Sequence, residues 1–108
     1  MIVETLKELM LIPGLAGYED RVAQAIGTHL DAMGLAHRSD RLGNLICTIP
    51  GDPALASVMV FTHMDQLGFI VRKVEDSGLI RLERLGGVPE RALAAQAVVL
   101  CCEGGDLP

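Results

Sequence analysis

Tryptophan is absent, and aromatic residues make up only 3% of the chain. A glycoside hydrolase uses paired carboxylates and usually stacks its sugar on aromatic faces, so Tyr18, Phe61 and Phe69 alone disfavour carbohydrate hydrolysis. Positive charge is also scarce: 9 Lys and Arg against 14 Asp and Glu leave a net charge of -5 in 108 residues. Without a basic cluster to displace counterions, nucleic acid is not expected as a partner. The longest nearly apolar run, ALAAQAVVLCC at 92–102, falls well short of the ~20 residues of a membrane helix. The opening MIVETLKELM has Glu4 and no basic stretch before an apolar core, unlike a secretory signal. These features lead to the expectation of a cytoplasmic protein with no membrane partner. Cys47, Cys101 and Cys102 form no CxxC pair and are expected to be reduced, mostly buried small residues. Phosphate loops of the GxxxxGK or GxGxxG kind, a GxSxG elbow and a helical HExxH are likewise missing, which removes the chemistries those patterns encode.

What remains is aliphatic. Half of the residues are hydrophobic and 21% charged, the balance of a globular core in one small domain's worth of chain. Val3, Leu6 and Met10 follow helical spacing and stop at Pro13-Gly14. Val22, Ile26, Leu30 and Met33 repeat that spacing over 18–33, with Glu19 and Asp20 at the positive end and Gly34 as the terminator. After Gly34, short runs between turn residues read as strands: AHRSD, LICTI and SVMVFTH. Residues 57–61 are continuously apolar, the pattern of a strand covered on both faces. Beyond Leu67, GFIVRKV and LIRLERL flank Glu75-Asp76-Ser77-Gly78 and predict a hairpin with Gly78 at positive φ. Alternation of Ile80 and Leu82 with Arg81 and Glu83 predicts one dry and one wet face, and AVVLCCE reads as a further strand.

Chemistry gathers in FTHMDQLG at 61–68. Residues two apart lie on the same side of an extended chain, so Asp65 can reach His63. A metal-bound imidazole usually donates its other N–H to a carboxylate or carbonyl, and His-x-Asp at a strand end encodes both parts. The same spacing also describes an ordinary hydrogen-bonded pair at a strand terminus. Spacing leaves both readings open. His29 and His37 lack a second ligand at helical spacing and read as solvated or locally paired. Asp40, before Leu42-Gly43-Asn44, reads as an Asx turn or cap, with a functional role kept in view.

Four stretches in order resemble one family. PGLAGYEDRV is similar to a PG-x-SG-x-E-x-x-V pattern, DRLGNLI to D-x-LGN-L, VMVFTHMDQLGFIV to an apolar strand followed by HMDE-(I/L)-GF, and LERLGGVPERAL to a GG loop. They resemble the dinuclear-metal aminopeptidases, which include glutamyl and deblocking aminopeptidases and the tetrahedral self-compartmentalising enzymes. Gln66 departs from that pattern, where many members have glutamate.

The resemblance implies metal-assisted hydrolysis of amino-terminal residues from peptides by two divalent ions, zinc or cobalt, that activate a water and polarise the scissile carbonyl. It implies His63 as a metal ligand and Asp65 as the active-site carboxylate that orients it. The implied fold is α/β: residues 1–66 as the amino-terminal part of a metallopeptidase domain, and 67–108 as the first strands of an inserted antiparallel β-barrel-like domain used for homo-oligomerisation. The family's remaining ligands and general base follow later in its chains, so these 108 residues are expected to be an amino-terminal fragment, inactive alone. The alternative is a stand-alone binding or oligomerisation module built on the 69–85 hairpin.

Overall fold

A computed structural model describes residues 2–108 of the chain. They divide into two compact units, one ending at Asp65 and the other spanning Gln66–Pro108. The content is mixed, two α-helices with two small antiparallel sheets, in keeping at that level with the α/β expectation.

In the first unit, α1 spans Ile2–Met10 and α2 spans Asp20–Ala32. The Pro13-Gly14 break separates them, as the loss of a backbone donor and the flexibility of glycine dictate. At the end of α2, Gly34 takes φ +71. Gly34 N–H donates to Asp31 O at 2.9 Å and Leu35 N–H to Leu30 O at 2.9 Å, a Schellman closure that satisfies the last carbonyls. Val22 of α2, 4% exposed, is the buried hydrophobic residue of the described chain. The apolar stripe of α1 is not covered: Ile2, Val3, Leu6 and Met10 all stay exposed.

Strands β1 (His37–Ser39) and β2 (Leu45–Cys47) pair antiparallel, with Arg38 opposite Ile46. Asp40 builds the turn between them. Its Oδ1 accepts from Leu42 N–H at 2.9 Å and Asn44 N–H at 3.0 Å, and its Oδ2 accepts from Asn44 Nδ2 at 2.8 Å. Gly43 supplies the required positive φ of +84. The Asn44 side-chain bond, foremost among these contacts, holds the Asp40 carboxyl below its ordinary range.

One expectation fails in this unit. Residues 57–61 form no strand, and Val58, Met59, Val60 and Phe61 are 83–92% exposed. A strand exists only where a neighbour completes its ladder, and burial on both faces needs layers on either side. Among the described residues, the first unit's sheet consists of β1 and β2 alone, so the apolar run has neither. The cysteines also depart from expectation: all three are free, but Cys101 is exposed and Cys47 and Cys102 are only half-buried.

The second unit is organised by a hairpin of β3 (Gly68–Val74) and β4 (Ile80–Leu85). Gly78 at φ +86 turns the chain, and Glu75 N–H donates to Leu79 O at 2.8 Å. The register sets Val74 opposite Ile80 and Val71 opposite Leu82, with an irregularity between Val71 and Lys73. Lys73 faces Arg81 directly, a like-charge pair that would weaken the ladder by itself. Glu75 resolves it by accepting from Lys73 Nζ at 2.8 Å and from Arg81 Nε. Lys73 first, then Arg81, hold the Glu75 carboxyl below its ordinary range. The dry face predicted for β4 is only partly dry, since Val71, Ile80 and Leu82 remain about half exposed. Beyond a 3₁₀ turn at Glu90–Ala92, the AVVLCCE stretch contributes one bridge, Leu100 to Leu107, instead of a strand.

Candidate metal-ligand site

His63 and Asp65 lie at the end of the first unit, in the irregular segment that follows the apolar run. Nδ1 of His63 is 3.0 Å from Asp65 Oδ1 and 3.1 Å from the Asp65 carbonyl oxygen. Both neighbours are acceptors, so the tautomer that satisfies them is the one with its proton on Nδ1. The lone pair is then on Nε2, at the far side of the ring. His63 is 82% exposed and Asp65 44%, so a small ion can approach Nε2 without displacing protein atoms. A metal-bound imidazole with an orienting carboxylate has this geometry, in which the hydrogen bond makes the imidazole a better donor; an ordinary hydrogen-bonded pair has it as well.

The other candidates are engaged elsewhere. His29 Nε2 pairs with Glu8 Oε2 at 3.1 Å, linking α2 to α1, and His37 Nε2 pairs with Asp31 Oδ1 at 3.1 Å. The His37 ring also lies over Gly27, where an added Cβ would come within 3.1 Å of Cε1. Asp40 is committed to its turn. A shallow cleft beside α2 and the β1–β2 hairpin is lined by Asp20, Gln24, Thr28, Asp31, His37 and Ser39, and His63 is not part of it. Among the described residues, no group of three or more His, Cys, Asp or Glu is arranged to hold a metal ion. The donor set at His63 therefore fits a single ligand position of a metal centre and no closed site.

His29 and His37 read only as solvated or locally paired, because neither partner stands at a diagnostic spacing. A closer neighbour of the His63 segment was not read as part of the site at all. A Cβ built on Gly14 would meet Val22 Cγ2 at 2.6 Å and the Met64 carbonyl oxygen at 3.5 Å. In sequence, Gly14 read as a helix stop and as part of the PGLAGYEDRV stretch, with no link to His63.

The family described as M42 glutamyl aminopeptidase matches residues 43–108. The Escherichia coli (strain K12) protein SgcX is 35% identical over 105 residues, covering 96% of this chain and 28% of its own. Lysyl aminopeptidase of Pyrococcus furiosus is 32% identical over 108 residues, 95% of this chain and 30% of that protein. Glutamyl aminopeptidase of Lactococcus lactis subsp. cremoris is 27% identical over 105 residues, 96% of this chain and 30% of that protein. The chain thus spans under a third of the length of these curated relatives. No solved structure matches it. Among the described residues, no helix is long and apolar enough to cross a membrane.

Proposed function

Since the chain belongs to the M42 glutamyl aminopeptidase family, we propose that His63 is one ligand of the metal centre of an aminopeptidase and that Asp65 is its orienting carboxylate. The reaction is hydrolysis of amino-terminal residues from peptides, in the cytoplasm. The observation that carries this reading is the 3.0 Å contact between His63 Nδ1 and Asp65 Oδ1, which leaves Nε2 free to bind. When bound, a pair of zinc or cobalt ions would supply Lewis-acid polarisation of the scissile carbonyl and a water acidic enough to react near neutral pH. The part played by this chain is narrower. Asp65 fixes the tautomer and direction of the ring, the ring offers one nitrogen, and no general base is assigned among these residues.

The division after Asp65 supports the matching proposal for the architecture. Residues 1–66 belong to the peptidase domain, and 67–108 open an inserted β-barrel-like domain through which subunits associate. The half-covered apolar face of the β3–β4 hairpin is in keeping with that, because a two-stranded hairpin is marginal without further packing. The isolated 108 residues would bind metal weakly and turn over no peptide, since one imidazole fixes neither coordination geometry nor a bridging carboxylate.

The test is to express the natural gene product that contains these residues and follow release of amino-terminal residues from short peptides before and after chelation. Hydrolysis that disappears with chelation, returns with zinc or cobalt, and is absent from His63→Ala supports the reading. Hydrolysis indifferent to metal and to His63→Ala overturns it.

A further inference from the structure

We propose that Gly14 and Val22 form a positioning seat for the His63–Asp65 pair, so that the fit between the Pro13-Gly14 turn and α2 sets the geometry of the ligand. The inference rests on the assignment of His63 as ligand, but its test reads the ring itself.

Among the described residues of the first unit, Gly14, Val22 and Gly27 are the buried positions. Of the two glycines, Gly14 is the one with an atom of the His63 segment near its Cβ position. The point a Cβ would occupy on Gly14 lies 2.6 Å from Val22 Cγ2 and 3.5 Å from the Met64 carbonyl. Gly14 is therefore closed in by the α2 side chain, and the Met64 carbonyl lies within van der Waals reach of the point a Cβ would occupy. Met64 sits between ligand and orienter, and the carbonyl of Asp65 is itself one of the acceptors for His63 Nδ1 at 3.1 Å. A displacement of this backbone by a few tenths of an ångström changes both contacts of the ring together. The exposed run at 57–61 supplies no ladder to hold the segment from the other direction. A side chain added at Gly14 would therefore come within van der Waals reach of the Met64 carbonyl, just before the bridge residue Gln66.

Volume at the seat decides the outcome of each substitution. An alanine at 14 overfills the space, because a Cβ at 2.6 Å from a β-branched side chain cannot be absorbed by a flexible tip. Val22→Ala has the opposite effect and leaves the turn without its wall. Combining the two returns a methyl group to the space that the valine vacated. Gly17 provides the control. It adopts φ +84, but a Cβ there would meet nothing within 4 Å, so Gly17→Ala strains the same loop without touching the seat.

The experiment is long-range ¹H–¹⁵N correlation of the imidazole nitrogens in the ¹⁵N-labelled 108-residue chain at about pH 8, where an ordinary imidazole is neutral. Amide shifts of α2 and the β1–β2 hairpin report folding in the same sample. The seat requires the Nδ1–H tautomer at His63 in the wild type and its loss toward a solvent-like mixture in Gly14→Ala. Partial loss is expected in Val22→Ala, recovery in Gly14→Ala/Val22→Ala, and retention in Gly17→Ala. If Gly14→Ala alone does not fold, the comparison of Val22→Ala with the double variant carries the test. A folded Gly14→Ala that keeps the wild-type signature overturns the seat, as does a double variant no better than Val22→Ala, or an equal loss in Gly17→Ala. Because no metal enters the measurement, it can fail while His63 remains a ligand. Equally, it can succeed if His63→Ala proves harmless to hydrolysis.

Discussion

Truncating Val22 to alanine separates the packing described above from the one its apolar runs suggested. Val22 is 4% exposed and packs against Gly14. Its replacement removes two methyl groups' worth of buried surface, at about 0.8 kcal/mol each, and the partly collapsed void adds to that. A loss of about 2 kcal/mol is expected, a large fraction of the stability of a small unit. Val58 carries the same side chain within the apolar run at 58–61, yet it is 87% exposed. Val58→Ala is expected to change stability by no more than about 0.5 kcal/mol. Urea unfolding of the 108-residue chain, followed by the helical circular dichroism signal, gives both values from one wild-type reference. A Val58→Ala cost equal to that of Val22→Ala would refute the reasoning, because it would mean that residues 57–61 are core in solution.

Three further outcomes follow from particular contacts. Asp40 has its carboxyl held below the ordinary value of 3.8, chiefly by Asn44. Its contribution to the β1–β2 turn is therefore complete above that value and is lost as pH falls through the depressed one; Asp40→Asn should remove this acid dependence from the amide exchange of Leu42 and Asn44, and an unchanged profile would contradict it. Gly78 turns the β3–β4 hairpin at φ +86, where a Cβ costs about 1 kcal/mol. Gly78→Ala should speed hydrogen exchange across that hairpin while leaving α2 untouched. Asp65→Ala leaves the His63 ring without its carboxylate and should weaken metal affinity of the natural gene product by about 10- to 100-fold, as read by competition with a chromogenic chelator.

Local signals in the sequence translated well where the structure depends on neighbours close in the chain. The helix stripes at Val3, Leu6 and Met10 and at Val22, Ile26 and Leu30 became α1 and α2. Gly34 closed a helix, and Gly78 turned a hairpin. Asp40 formed the Asx-type turn that its place before Leu42-Gly43-Asn44 suggested. The His63–Asp65 contact was also legible, because residues two apart can always meet. What was not legible depends on partners distant in sequence. Residues 57–61 read as a buried strand, but hydrophobicity records a tendency to be covered and cannot say what does the covering. Val22 looked like one stripe position among several, and only packing against Gly14 distinguished it. Cys101 and Cys102 looked like buried residues by type, yet Cys101 is exposed and Cys102 only half-buried.

The most direct test of His63 as a metal ligand is the divalent-metal content of the natural gene product, measured by mass spectrometry after exhaustive dialysis, for wild type and His63→Ala side by side. The Nδ1 edge of the ring faces the two Asp65 oxygens and Nε2 is the nitrogen proposed to bind, so replacing the ring should cost a bound ion together with peptide hydrolysis while the fold persists. A His63→Ala protein that retains the full wild-type metal content and hydrolyses peptides at the wild-type rate would contradict the assignment.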